Sequence, residues 1–228
     1  MPSQPLVVII NGYGVPEDIK TDRSYHAYLI QILNWLWERH RTHALTIVPC
    51  GGRTDCTWPY RRTEAGEMAK WLRPRIATLR CTSRWHLRPL ATELSALENM
   101  LACAKRYPSG RMIYFCEQTR VPKMRVLAPR IFGNRVQVRG IEFDGSPPRY
   151  DRSGRLAHER EDLAFSLTAL EDPQWRRELR AAARRKIQVL RTTSPEVRAT
   201  EIDRIARRIR TEFHERYVRS QTKRTSAP

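Results

Sequence analysis

Two glutamates and two glycine-bearing turns are the residues of this 228-residue chain whose types and spacing suit chemistry. Gly12-Tyr13-Gly14 follows directly on the apolar run Leu6–Asn11, and Gly51-Gly52 follows the run that ends at Cys50. A glycine at the exit of a buried strand admits positive φ or lets the backbone come close to a ligand. Arg53 and Thr54 come next and suit a phosphate or carboxylate, the guanidinium bidentately and the hydroxyl as a further donor. Glu64 opens a helix-like stretch, where the helix dipole alone also favours an acid. Its carboxylate argues against phosphate at that helix end and for ligand hydroxyls or an amine. Glu98 falls at the margin of an apolar face made by Leu94, Leu97, Leu101 and Ala104, taking about 100° per residue. There it suits a general base, an acceptor for a ligand hydroxyl, or a carboxylate that holds Arg120 or Arg125; a structural ion pair is the competing role.

Other constellations fall short. Gly12 and Gly14 make half of a dinucleotide fingerprint, but the remaining glycine is absent and Pro16-Glu17-Asp18 follows. His40-x-x-His43, with His86 elsewhere, has the spacing for a shared metal ion, yet the pair lies at a helix end on the side of the sheet opposite the glycine turns and reads as a polar loop. No Ser-His-Asp or Cys-His spacing supports a nucleophile. Five cysteines, an odd number without a C-x-x-C pair, fit buried thiols in a reducing compartment. Cys50 among them reads as a buried hydrophobe.

The elements that must position these residues alternate in kind. Strands are expected at Leu6–Asn11, Ala44–Cys50, Ile76–Cys81, Met112–Cys116 and Val136–Phe143. Helices are expected from about Arg23 to His40, from Thr63-Glu64 to Pro74, from Thr92 to Tyr107, and from Pro122 to Gly133 with a break or kink at Pro129. Strand–helix alternation at these intervals calls for right-handed parallel crossovers. The fold class is therefore α/β: a Rossmann-like three-layer domain with a parallel five-stranded sheet, its site outside the carboxyl ends of the strands. Gly145-Ser146-Pro147-Pro148 marks the end of this domain, residues 1–148. Residues 149–228 form a basic helical extension. Asp172-Pro173 and Ser194-Pro195-Glu196 open its two main helices, and a stripe of Ile202, Ile205, Ile209 and Phe213 is expected to pack on the core.

Gly51-Gly52, Glu64-Ala65 with Met68, Glu98-Asn99 and then Arg125, in that order between Leu6 and Asp144, resemble the YdcF-like family, which includes the SanA and ElyC relatives and is described as a domain of unknown function. The resemblance implies a Rossmann-like fold with a site at the strand ends, envelope-linked roles for membrane-anchored members, and nucleotide-like or S-adenosylmethionine-like ligands. It adds Asn99 and Arg125 to Gly12, Gly14, Gly51, Gly52, Arg53, Thr54 and Arg120 as ligand contacts, with Glu64 and Glu98 as the candidate catalytic pair. Two departures stand out: Ser95-Ala96 where the family often carries Asn-Thr, and Pro122 where many relatives have a histidine three residues before the arginine.

Lysine and arginine number 42 against 24 acids, for a formal charge of +18, and 36 of the 42 are arginine. The excess is spread along the chain, with 22 basic and 12 acidic residues before residue 149 and 20 and 12 after it. A dedicated nucleic-acid face would concentrate it. A small anionic ligand is the expected partner, and a basic nucleic-acid-binding or scaffold protein working through the carboxy-terminal helices is the alternative. No stretch approaches the roughly 20 apolar residues of a membrane span, so the expected location is cytoplasmic.

Overall fold

The computed structural model describes residues 6–79, 84–142, 152–194, 197, 204, 207–208, 211–220 and 222, with side chains from residue 158 onward in the helix that begins at 152. Five parallel strands form one sheet in the order β3-β2-β1-β4-β5: β1 (Leu6–Asn11), β2 (Leu45–Cys50), β3 (Trp85–Leu87), β4 (Met112–Glu117) and β5 (Val136–Ile141). Helices α1 (Arg23–His40), α2 (Glu64–Thr78), α3 (Ala96–Arg106) and α4 (Val121–Phe132) connect them. The side-chain alternation of each strand sorts the core into two layers. Val8, Ile10, Ile47 and Phe115 pack with Tyr28, Leu29 and Ile32 of α1 and with Met68 and Trp71 of α2. Val7, Ile9, Val48 and Tyr114 pack on the other face with Met100 of α3 and Met124 and Leu127 of α4. The chain thus reverses direction across the sheet between β1 and β4, which is where a doubly wound fold opens its crevice.

Local chemistry explains most element bounds. Asp22 caps α1 by accepting from the Tyr25 N–H, Thr63 caps α2 through Gly66, and Ser95 caps α3 through Glu98. Two expectations need correction. Ile76 to Thr78 belong to α2, which runs through Pro74 because Trp71, Leu72 and Ile76 bury together on the core side. The third strand is instead Trp85–Leu87, three residues paired with Leu45–Ile47 at the sheet edge, and Cys81 lies outside the described residues. Likewise α4 continues through Pro129 to Phe132. The carbonyl that would pair with residue 129 belongs to Arg125, on the exposed side of the helix.

The chain divides into two compact units, Met1–Leu167 and Thr168–Pro228. The division falls inside α5 (Arg152–Glu171), later than the proline-bearing loop at which the composition changes. Within the first unit, Leu163 and Leu167 of α5 pack on the α3–α4 layer. Within the second, α6 (Pro173–Thr192) starts at an Asp172 cap followed by proline, and its Trp175 packs edge-on against Phe213 and Tyr217 of the helical stretch 211–220. Arg216–Glu178 and Arg185–Glu212 ion pairs flank that contact. The side chains of Ile202, Ile205 and Ile209 lie outside the described residues. Among the described residues no helix is long and apolar enough to cross a membrane.

Candidate functional site

Register places the two glycine turns side by side. Asn11 pairs with Cys50 and Ile10 with Phe115, so one step further Gly12 stands beside Gly51 on β2 and, at the end of β4, Glu117. Strand parity turns all three toward the α1–α2 face, the same face as Ile10 and Phe115. Glu64, the first residue of α2, fills the space above the two glycines. A Cβ on either Gly12 or Gly51 would overlap its carboxylate, and one on Gly12 would also lie 2.8 Å from the Cys50 carbonyl oxygen. Gly51 has φ of +142°, a second reason for glycine there. Gly52 is constrained from the α3 side, since a Cβ there would meet the Glu93 carbonyl oxygen at 2.6 Å. The exits of β1 and β2, the start of α2 and the approach to α3 therefore form one continuous rim.

Thr54 Oγ1 donates to Glu64 Oε1 at 2.6 Å. The first N–H groups of α2 are all engaged: Glu64 and Ala65 donate to the carbonyls of Gly52 and Gly51, Gly66 to the Thr63 hydroxyl, and Glu67 to the Thr63 carbonyl. That helix end consequently has no donor left for an anion. The turn is fixed by a contact that sequence inspection does not reveal. Asp55, fully buried, accepts from the Arg62 Nε and Nη2, and Arg62 Nη1 donates to the carbonyls of Pro16 and Glu17, tying the loop after β1 to the loop after β2.

At the switch between β1 and β4 the polar groups are tyrosines. Tyr28 donates to the carbonyls of Asn11 and Phe115, 3.1 Å from each, and Tyr114 donates to Asn11 Oδ1 at 3.0 Å. The Tyr13 hydroxyl accepts the Glu117 N–H, and the Arg120 guanidinium lies 4.6 Å above the Tyr13 ring. Burial raises the pKa of Tyr13, Tyr28 and Tyr114 well above the usual phenol value, so all three remain protonated donors. Arg120 and Lys123 both pair with Glu159 of α5, and Lys123 also with Asp162.

The remaining expected residues are distributed unevenly. Glu98 is buried, but at the third position of α3 it forms a reciprocal cap: its N–H donates to Ser95 Oγ, which in turn donates to its Oε2. Asn99 is buried beside it with an Oδ1 that accepts no hydrogen bond. Gly14 has φ of +88° and open space where a Cβ would sit. Arg53 is exposed after Gly52. Arg125 is exposed on the outer side of α4, away from the buried face that carries Lys123 and Met124, and does not join the rim. Glu117, Tyr13, Asp55 and Arg62 were not among the expected residues. Glu117 had a legible signal: it is an acid placed directly after the all-apolar run Met112–Cys116.

Burial and the neighbouring Cys103 thiol, 3.6 Å away, push the Cys50 thiol well up, and burial pushes Cys116 up to about 12, so neither supplies a thiolate near neutrality. His40 and His43 stack edge-on at 5.2 Å, and among the described residues no three His, Cys, Asp or Glu side chains gather as metal ligands. Comparison with family models, with curated proteins and with solved structures gave no match.

Proposed function

We propose that the α/β unit is a YdcF-like ligand-binding domain that takes a small anionic, nucleotide-like molecule at the carboxyl edge of its sheet. The observation that carries this reading is the Glu64 carboxylate lying in the space that side chains on Gly12 and Gly51 would occupy. Two strand exits without side chains let this acid settle at the sheet edge, where its carboxylate is the polar group offered to a ligand. Because the α2 N–H groups are engaged, Glu64 and Thr54 receive ligand hydroxyls, while the exposed Arg53 guanidinium, next along the turn, takes the anionic end. The reading concerns binding and assigns no reaction.

A thermal-shift series with AMP, ribose 5-phosphate and S-adenosylmethionine tests it. At least one of these compounds is expected to raise the melting temperature of the wild-type chain, with the shift lost in Glu64→Gln and reduced in Arg53→Ala for the phosphate-bearing compounds. A melting temperature that none of the three alters, or equal shifts in wild type and Glu64→Gln, would overturn the reading.

A further inference from the structure

The acid that ends β4 is buried with one oxygen unsatisfied. Glu117 is 3% exposed, and its Oε2 is enclosed without a hydrogen-bond partner. Its backbone N–H is engaged by Tyr13, and the two cations that follow it in sequence, the partly buried Arg120 and the buried Lys123, are paired with Glu159 instead. A carboxylate oxygen buried without a donor weakens the fold, so its retention asks for a donor from outside the chain. The register already described sets this acid one strand over from Gly12 and on the same face of the sheet as Glu64, at the point where β1 and β4 diverge.

We propose that Glu117 is a ligand-contacting residue that accepts hydrogen bonds from hydroxyl groups of a sugar-like portion of the bound molecule. This deepens the reading given above and rests on it. The donor is hydroxylic rather than cationic because the Arg120 guanidinium stands 4.6 Å over the ring of Tyr13, whose hydroxyl holds the Glu117 N–H, and a ligand ammonium there would face a fixed positive charge. The position fits as well: Glu64 covers Gly51 and Gly12, and Glu117 comes next in the same row on the same face, so a sugar-like group entering where β1 and β4 diverge meets both carboxylates.

The test uses the full chain in two arms. In the first, isothermal titration compares AMP with its 2′-deoxy and 2′,3′-dideoxy counterparts on wild type and on Glu117→Met. Wild type is expected to lose about tenfold or more in affinity when the hydroxyls are removed, and Glu117→Met to bind all three compounds equally, at the weakened level. Hydroxyl removal that costs wild type nothing, or a Glu117→Met variant that discriminates as wild type does, overturns the inference and leaves the binding reading standing; a wild type that binds none of the three overturns it together with AMP as the ligand. The second arm needs no ligand. Glu117→Met is expected to melt a few degrees above wild type, because it removes an unsatisfied buried acid, and Glu117→Gln, which keeps a buried polar end, is expected to gain less. A drop in melting temperature for both variants would show that Glu117 holds the fold together and would overturn the inference.

Discussion

At the scale of single residues, the sheet edge is dominated by groups whose ordinary protonation is altered by enclosure. His40 ends α1 partly buried, with its Nδ1 lacking a partner, and its pKa is lowered first by burial and then by His43, Arg111, Arg139 and Arg39. The folded state therefore holds fewer protons on this imidazole than the unfolded chain does as pH falls through about 6.5. The stability it contributes is present above that value and is lost on acidification. Urea unfolding of wild type and His40→Gln at about pH 7.5 and pH 5 checks this: the variant is expected to lose less stability between the two than wild type, and equal losses would refute the assignment. Sequence order located Glu64 at a helix start and the glycines at strand exits because those positions are set locally. It passed over Tyr13 and Asp55 because their contacts depend on which loops and strands become neighbours, a long-range fact that no single stretch of chain encodes; Glu117 showed itself as an acid at a strand end, but its place beside Gly12 is of the same long-range kind.

At the scale of elements, α3 is the instructive case. Read as a helix from Thr92, it leaves Glu98 in its interior, where a buried acid asks for a catalytic reason. Started at its real cap, Ser95, the same glutamate is the third residue and closes a Ser-x-x-Glu box. Ser95→Ala is expected to cost about 1 kcal/mol in urea unfolding, and adding Glu98→Ala is expected to cost less than the sum of the two single changes, because both delete one contact. Full additivity would argue that Glu98 has a separate task. The long strands and the helices with Asp, Thr or Pro at their starts were legible because each carries its own punctuation. The third strand was not: three residues at a sheet edge bury too little for a pattern to form, and Pro74 resembles a terminus although the apolar face of α2 carries the helix past it.

For the molecule as a whole, arginine is spread over both units, and charge this diffuse is expected to act as a long-range field rather than as a binding face. A single-stranded oligonucleotide is therefore expected to associate with the chain in low salt and to dissociate by about 200 mM salt, followed by fluorescence anisotropy. The thermal shift given by a crevice ligand should change far less over the same range, and an oligonucleotide that stays bound would instead favour the nucleic-acid alternative. The architecture also bears on where the chain can be cut. Glu159 and Asp162, the carboxylates that neutralise the enclosed Lys123, belong to α5 within the first unit, as do Leu163 and Leu167 on the α3–α4 layer. A truncation at the proline-bearing loop would keep all five described strands and yet strand a buried ammonium without its counter-charge and bare an apolar face, so the smallest self-sufficient piece of this protein extends beyond β5 into a helix.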